Sequence, residues 1–191
     1  METWQFPVVF IAGVVAGVIN TLAGGGSLIT LPVLVFLGLP ATVANGTNRL
    51  AITVQSVLAV AGFKRKGVSD FKSSLLMSIP ALVGAIIGAQ LAVDVSDILF
   101  KRILAVVMLL VLGLILWNPT RMRQGIVRYD GGITSLSRSL RIVSMLIFFF
   151  IGVYGGFIQA GIGFLIIAVL TTIRRLNLVE TNSHKVFIIG R

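Results

Sequence analysis

Apolar residues run in long blocks along this chain, and the polar residues gather between them. A stretch of about 20 apolar residues crosses a bilayer as a helix. The first block runs from Phe6 to about Leu39, interrupted by Gly24-Gly25-Gly26-Ser27 and by Pro32. Ala41–Phe63 is a second block, ended by Lys64-Arg65-Lys66-Gly67. Phe71–Val93 is a third, with Pro80 near its middle, and Ile98–Trp117 a fourth, ended by Asn118-Pro119. Thr120–Arg141 is polar and basic. A fifth apolar block runs from Ile142 to about Thr172, again broken by glycines, and a sixth starts at Leu178. The pattern predicts an all-α, polytopic membrane protein.

The first block has the wrong length for a single helix. Roughly 33 residues at 1.5 Å each would reach about 50 Å, against a hydrocarbon core of about 30 Å. Two full crossings would need more. The triple glycine near its middle predicts two short helices joined by a Gly-rich break. Irregular backbone at membrane depth is tolerated only where protein or a water-filled cavity satisfies it. The fifth block has the same length and the same kind of break.

The two blocks also match in sequence. Ala23-Gly24-Gly25-Gly26-Ser27-Leu28-Ile29 aligns with Ala160-Gly161-Ile162-Gly163-Phe164-Leu165-Ile166, an offset of 137 positions. The same offset, without a gap, sets Asn45 on Asn182 and Asn48 on Lys185. An internal duplication follows, as in many transporters. The expected organisation is a complete first repeat at 1–118, a basic cytoplasmic loop at 119–141 and a second repeat at 142–191. Each repeat opens with a Gly-broken helix pair. A complete second copy would reach about residue 254, Trp117 shifted by the same 137 positions, so the second repeat is read as incomplete. Truncation is the favoured account, and a dispensable repeat the alternative.

Basic residues orient the chain. Lys64, Arg65, Lys66 and Lys72 form one cluster, and Arg121, Arg123, Arg128, Arg138 and Arg141 another. Both loops are expected in the cytoplasm, two crossings apart. The first block either crosses once, with the N-terminus inside, or dips and returns, with it outside. The re-entrant form gives three full crossings per repeat and hence inverted repeats.

Composition agrees with a membrane solvent. Of 191 residues, 57% are hydrophobic and 12% charged, against about 25% charged in a soluble domain. That excludes a soluble enzyme, a disordered chain and a disulfide scaffold. The net charge of +10 belongs to the loops, with no nucleic-acid partner implied. With no Cys, a single His and six carboxylates, the chain offers no metal site, no cofactor site and no hydrolytic chemistry. The basic n-region of a secretory signal is missing before the first block, which is read as mature protein.

The candidate chemistry sits at the breaks. The backbone of Gly24, Gly25, Gly26 and Ser27 can present N–H groups to an anion, helped by the positive end of the following half-helix. Asn20 lies one turn earlier. Gly161 and Gly163, preceded by Gln159, are the counterpart. Close helix packing is the plainer role for such glycines. Asn45-Gly46-Thr47-Asn48-Arg49 adds Asn45, Thr47, Asn48 and Arg49, the last being the only charge between Glu2 and Lys64. A charge at depth is a functional candidate by default, with snorkelling to the interface as its structural alternative. Asn182, His184 and Lys185 occupy the equivalent stretch of the second copy. Gly13-x-x-x-Gly17 and Gly84-x-x-x-Gly88 read as packing faces, and Gln55 and Gln90 as hydrogen-bonding residues between helices.

Ala23-Gly24-Gly25-Gly26-Ser27-Leu28-Ile29-Thr30-Leu31-Pro32, followed by Ala44-Asn45-Gly46-Thr47-Asn48-Arg49, resembles the first half of the sulfite exporter TauE/SafE family. Gly155-Gly156, Ala160–Gly163 and Asn182 with Lys185-Val186-Phe187 resemble its second half. The resemblance covers Phe6 to Arg191. It implies a permease of about eight hydrophobic segments in two related halves, moving small sulfur-containing anions such as sulfite and organosulfonates across the bacterial inner membrane. The missing end of the second half departs from that pattern. The expected partners are therefore a small anion, the lipid bilayer and a second copy in a homo-oligomer. Transport would be secondary, since no P-loop is present. A truncated, non-transporting membrane protein or partner subunit is the alternative.

Overall fold

The computed structural model describes residues 3–66, 71–117, 138–174 and 178–190. Most of the expected basic loop at 119–141 lies outside the described residues. Its last four residues are helical, because the sixth helix begins at Arg138.

Among the described residues the architecture is all helical. The order is α1 (Gln5–Leu22), α2 (Ser27–Phe36), α3 (Ala41–Arg65), α4 (Phe71–Val93), α5 (Asp97–Trp117), α6 (Arg138–Phe157), α7 (Ile162–Arg174) and α8 (Leu178–Ile189). Local chemistry sets several ends. Gly38, at φ +92°, closes α2. Its N–H donates to Val35 O, and Leu39 N–H donates to Leu34 O, a Schellman closure. Pro40 then turns the chain, and α3 starts with Ala41 N–H donating to Asp97 Oδ1 at 2.5 Å. Asp97 thus places a negative charge at the positive end of α3. Lys101 lies 2.7 Å from the same carboxylate. The Lys101 hydrogen bond, then the backbone N–H of Ala41, hold Asp97 below the usual carboxylate range.

Packing gathers around two apolar cores. One joins Leu31, Leu34, Ala44, Phe100, Leu104 and Ile158 from α2, α3, α5 and the segment after α6. The other joins Met77, Ala81, Phe148, Ile166, Leu170 and Ile188 from α4, α6, α7 and α8. The closest helix pair is α4 with α6. There a Cβ on Gly84 or Gly88 would strike the carbonyls of Phe149 and Val153, and one on Gly152 or Gly156 those of Ala81 and Ala85. The expected Gly84–Gly88 face is thus a close seam, and Gly152-x-x-x-Gly156 is its unanticipated other half. The Gly13–Gly17 face is different. Gly13 meets nothing within 4 Å, and Gly17 meets only the Gln55 side chain.

The exterior is apolar. Phe6, Phe10, Ile11 and Leu22 on α1 are each more than 60% exposed, as are Leu109 and Leu110 on α5. Patches of this size on a soluble monomer are rare. Among the described residues, Gln5–Leu22 and Ser74–Val93 are long and apolar enough to cross a membrane. This is the exterior of a membrane protein.

Candidate functional site

The two glycine-bearing interruptions meet in the interior. The first, between α1 and α2, turns at Gly24 (φ +81°). The second, between α6 and α7, turns at Gly161 (φ +71°). Gly24 lies directly on Gly163, so closely that a Cβ on either would collide with the backbone of the other. Ser27 Oγ ties them together. It donates to Gln159 O at 2.9 Å and accepts from Gly161 N–H at 3.4 Å. The starts of α2 and α7 therefore converge, and first-turn N–H groups of a helix have no intrahelical partner.

The ends of α1 and α6 are capped by side chains from distant helices. Lys185 on α8 donates from Nζ to Asn20 O (2.9 Å), Thr21 O (3.0 Å) and Asn182 Oδ1 (2.8 Å). Asn182 Nδ2 donates to Leu22 O at 3.1 Å. Across the crossing, Arg49 on α3 donates to Gly156 O, and to Phe157 O at 3.3 Å. Asn45 Nδ2 donates to Phe157 O at 3.1 Å. The buried Lys185 and the half-buried Arg49 thus each meet the carbonyl end of a helix from the other half of the chain, where the helix dipole favours positive charge.

A cavity of about 610 Å³ opens between α1, α2 and α3, with Asn20, Gly26, Ser27, Thr30, Asn48 and Gln55 supplying its polar lining. Asn20 Nδ2 donates to Gln55 Oε1 at 2.9 Å, and Gln55 Nε2 donates to Gly17 O. Thr30 Oγ1 donates to Asn48 Oδ1 at 2.5 Å. Asn48 is 97% buried, and its Nδ2 has no partner. Asn48 thus borders the cavity, with an unpartnered amide nitrogen buried behind its lining.

Most of the expected residues come together here, but not all in one place. Asn20, Gly26, Ser27 and Asn48 line the large cavity. Asn45 and Arg49 line a separate one of about 170 Å³. Gly25 packs under the Phe164 ring. Gln159 borders a third space of about 70 Å³, with its Oε1 unpartnered. Thr47 is on the exposed side of α3 and joins none of them. Lys185 and Asn182 spend their donors on the α1 end. Gln55 does bridge helices as expected, whereas Gln90 is exposed. Thr30 was passed over; it is one helical turn past Gly26, a spacing that could have flagged it. Tyr154, donating to Ala160 O at 2.5 Å, and Ser74, 2.6 Å from His184 Nδ1, were also missed. Their partners come from packing and carry no local signal.

An apolar exterior around buried polar helix breaks marks the chain as an integral membrane protein. The family model described as sulfite exporter TauE/SafE matches residues 9–190, and the chain belongs to that family. A probable membrane transporter protein of Sinorhizobium is 28% identical, over 94% of this chain and 66% of its own length. One of Haemophilus influenzae is 27% identical, over 93% and 66%. Another of Escherichia coli is 31% identical, over 53% and 38%. The chain thus spans just under two thirds of the first two relatives' length. No solved structure matches it significantly.

Proposed function

We propose that the chain acts as a permease for small, sulfur-containing anions, multi-pass in the bacterial inner membrane, by secondary alternating access about the two crossed breaks. The observation that carries this reading is the contact of Gly24 with Gly163, which brings the positive ends of α2 and α7 to one buried place. Broken half-helices whose N-termini face an anion are a recurrent transport-site design. The unpartnered Nδ2 of Asn48 is a neutral donor buried behind the lining of the neighbouring cavity. The paired positive φ at Gly24 and Gly161, 137 positions apart, supports the reading of two related repeats. Lys64, Arg65 and Lys66 at the end of α3 favour a cytoplasmic position for that end. The family's name and those of the relatives support the substrate class and the activity.

The test is flux. The purified chain is reconstituted in liposomes loaded with sulfite, and efflux is followed. Sulfite efflux that Asn48→Leu abolishes and Thr47→Ala leaves intact supports the reading. Efflux unchanged by Asn48→Leu would remove Asn48 from the site. Absence of sulfite efflux from the reconstituted chain would overturn the reading.

A further inference from the structure

The capping contacts between the two halves are reciprocal. Asn45 and Asn182, 137 positions apart, each donate from Nδ2 to the end of the other half's first helix, to Phe157 O and to Leu22 O. Phe157 O and Asn20 O are also 137 positions apart, and each accepts from a basic side chain of the other half, Arg49 and Lys185 respectively. Contacts exchanged in this way relate the halves by an approximate two-fold axis.

α4 stands outside that exchange. It belongs to the first repeat but packs on the second, where Met77 and Ala81 join Phe148 and Ile151 of α6 and Ile188 of α8. Ser74 Oγ lies 2.6 Å from His184 Nδ1 of α8. The two-fold requires an equivalent helix over α1 and α3, and none of the described helices covers that face. The α1 residues that match the covered face of α6 are bare. Phe148 and Ile151 are 0% and 8% exposed, whereas Ile11 and Val14, 137 positions earlier, are 62% and 53% exposed. Val15 and Val18, which match the buried Gly152 and Gly155, are 45% and 57% exposed. Beside this face lies the cavity of about 610 Å³, where Val14 and Ala51 match Ile151 and Ile188.

We propose that this face of α1, with the adjoining edge of α3, seats an additional apolar transmembrane helix built like α4, with small residues at the contact. In a bilayer, helices associate by close packing rather than by exclusion from water, so shape selects the guest. α6 meets α4 through Gly152 and Gly156, which lie against Ala81 and Ala85. α1 carries Val15 and Ile19 at the matching positions. The guest helix therefore sits farther out and receives those side chains at alanine- or glycine-sized positions. The inference rests on the reading of two related repeats and adds an interaction surface to it.

Disulfide crosslinking tests it. The chain has no cysteine, so one introduced cysteine is a unique site. Val15→Cys is purified in detergent and mixed under mild oxidation with a synthetic peptide of Phe71–Val93 that carries Ala81→Cys, the pair that the two-fold sets in contact. A chain–peptide disulfide is expected at Val15→Cys and not at Leu109→Cys on the exposed face of α5. Ala85→Leu and Gly88→Leu in the peptide remove small positions and are expected to abolish it. Thermal unfolding confirms that each chain variant folds. Absence of the crosslink, equal crosslinking at both sites, or crosslinking indifferent to the enlarged residues would overturn the proposal. A chain–chain disulfide at Val15→Cys that excludes the peptide would overturn it too, and assign the face to a second copy. Sulfite efflux does not enter this readout. Lost efflux with the crosslink present refutes the permease and leaves this surface standing, and efflux without the crosslink does the reverse.

Discussion

Lys185 Nζ lies 2.9 Å from the carbonyl oxygen of Asn20, a residue 165 positions away at the end of another helix. The ammonium is fully buried, and its three protons go to Asn20 O, Thr21 O and Asn182 Oδ1. This buried charge is thus accounted for without a substrate. It closes the carbonyl end of α1 where the chain must break off.

Lys185→Met takes the Lys185 donor from Thr21 O and Asn182 Oδ1, while Asn20 O keeps the Gly24 N–H at 2.9 Å. At about 1–3 kcal/mol per abandoned group, the loss should be about 2 kcal/mol or more. The expected outcome is a clearly lower melting temperature in detergent, with Lys185→Arg recovering part of it. A Met variant as stable as the parent would refute the capping role.

Arg49→Gln retains a donor for Phe157 O but loses the cation at the end of α6. A charge at a partly buried helix C-terminus contributes up to about 2 kcal/mol. Stability should fall by about 1–2 kcal/mol, read by chemical denaturation in mild detergent. Asn45→Ala should add to that fall less than additively, since both side chains serve Phe157 O.

Asp97 predicts a pH dependence. Its carboxyl is held below the usual range chiefly by Lys101, then by the Ala41 N–H. A depressed value means the native state prefers the ionised form. The stabilisation is fully present above the ordinary carboxylate pKa of about 3.9. It disappears as pH falls through the lower, folded value. Melting curves across the acidic range should show this loss in the parent. Asp97→Asn should flatten that part of the profile and lower stability at neutral pH.

Much of this was legible in the chain, and the limit has a physical cause. Phe71–Val93 has the same bounds in both readings, because charge and polar loops flank it. Gly24 marked an interruption because three glycines cannot hold a helix at depth without reason. Arg49 and Lys185 stood out as charges in apolar blocks. What could not be read was their partners. Lys185 reaches α1, and Arg49 reaches α6, through the packing of helices more than 100 positions apart. The same holds for Gly152 and Gly156, whose role appears only when Ala81 and Ala85 lie against them. Thr47 shares a motif with Asn45 and Asn48, yet the helical turn sets it on the exposed side.

The crossing of the breaks gives the sharpest contrast between neighbouring glycines. Gly24 has φ +81°, and its Cβ position is occupied by the backbone of Gly163. The left-handed conformation alone costs a side chain roughly 1–2 kcal/mol, and overpacking adds about 1–3 more. Gly24→Ala should therefore destabilise the chain by about 2–5 kcal/mol and separate the two breaks. Gly46 is a helical glycine whose Cβ would meet nothing within 4 Å. Gly46→Ala should leave the fold intact or stabilise it by roughly 0.5–1 kcal/mol. Melting temperatures of the two variants, with a cysteine crosslink between positions 27 and 159, read both effects. Equal behaviour of the two substitutions would mean that Gly24 and Gly163 do not touch.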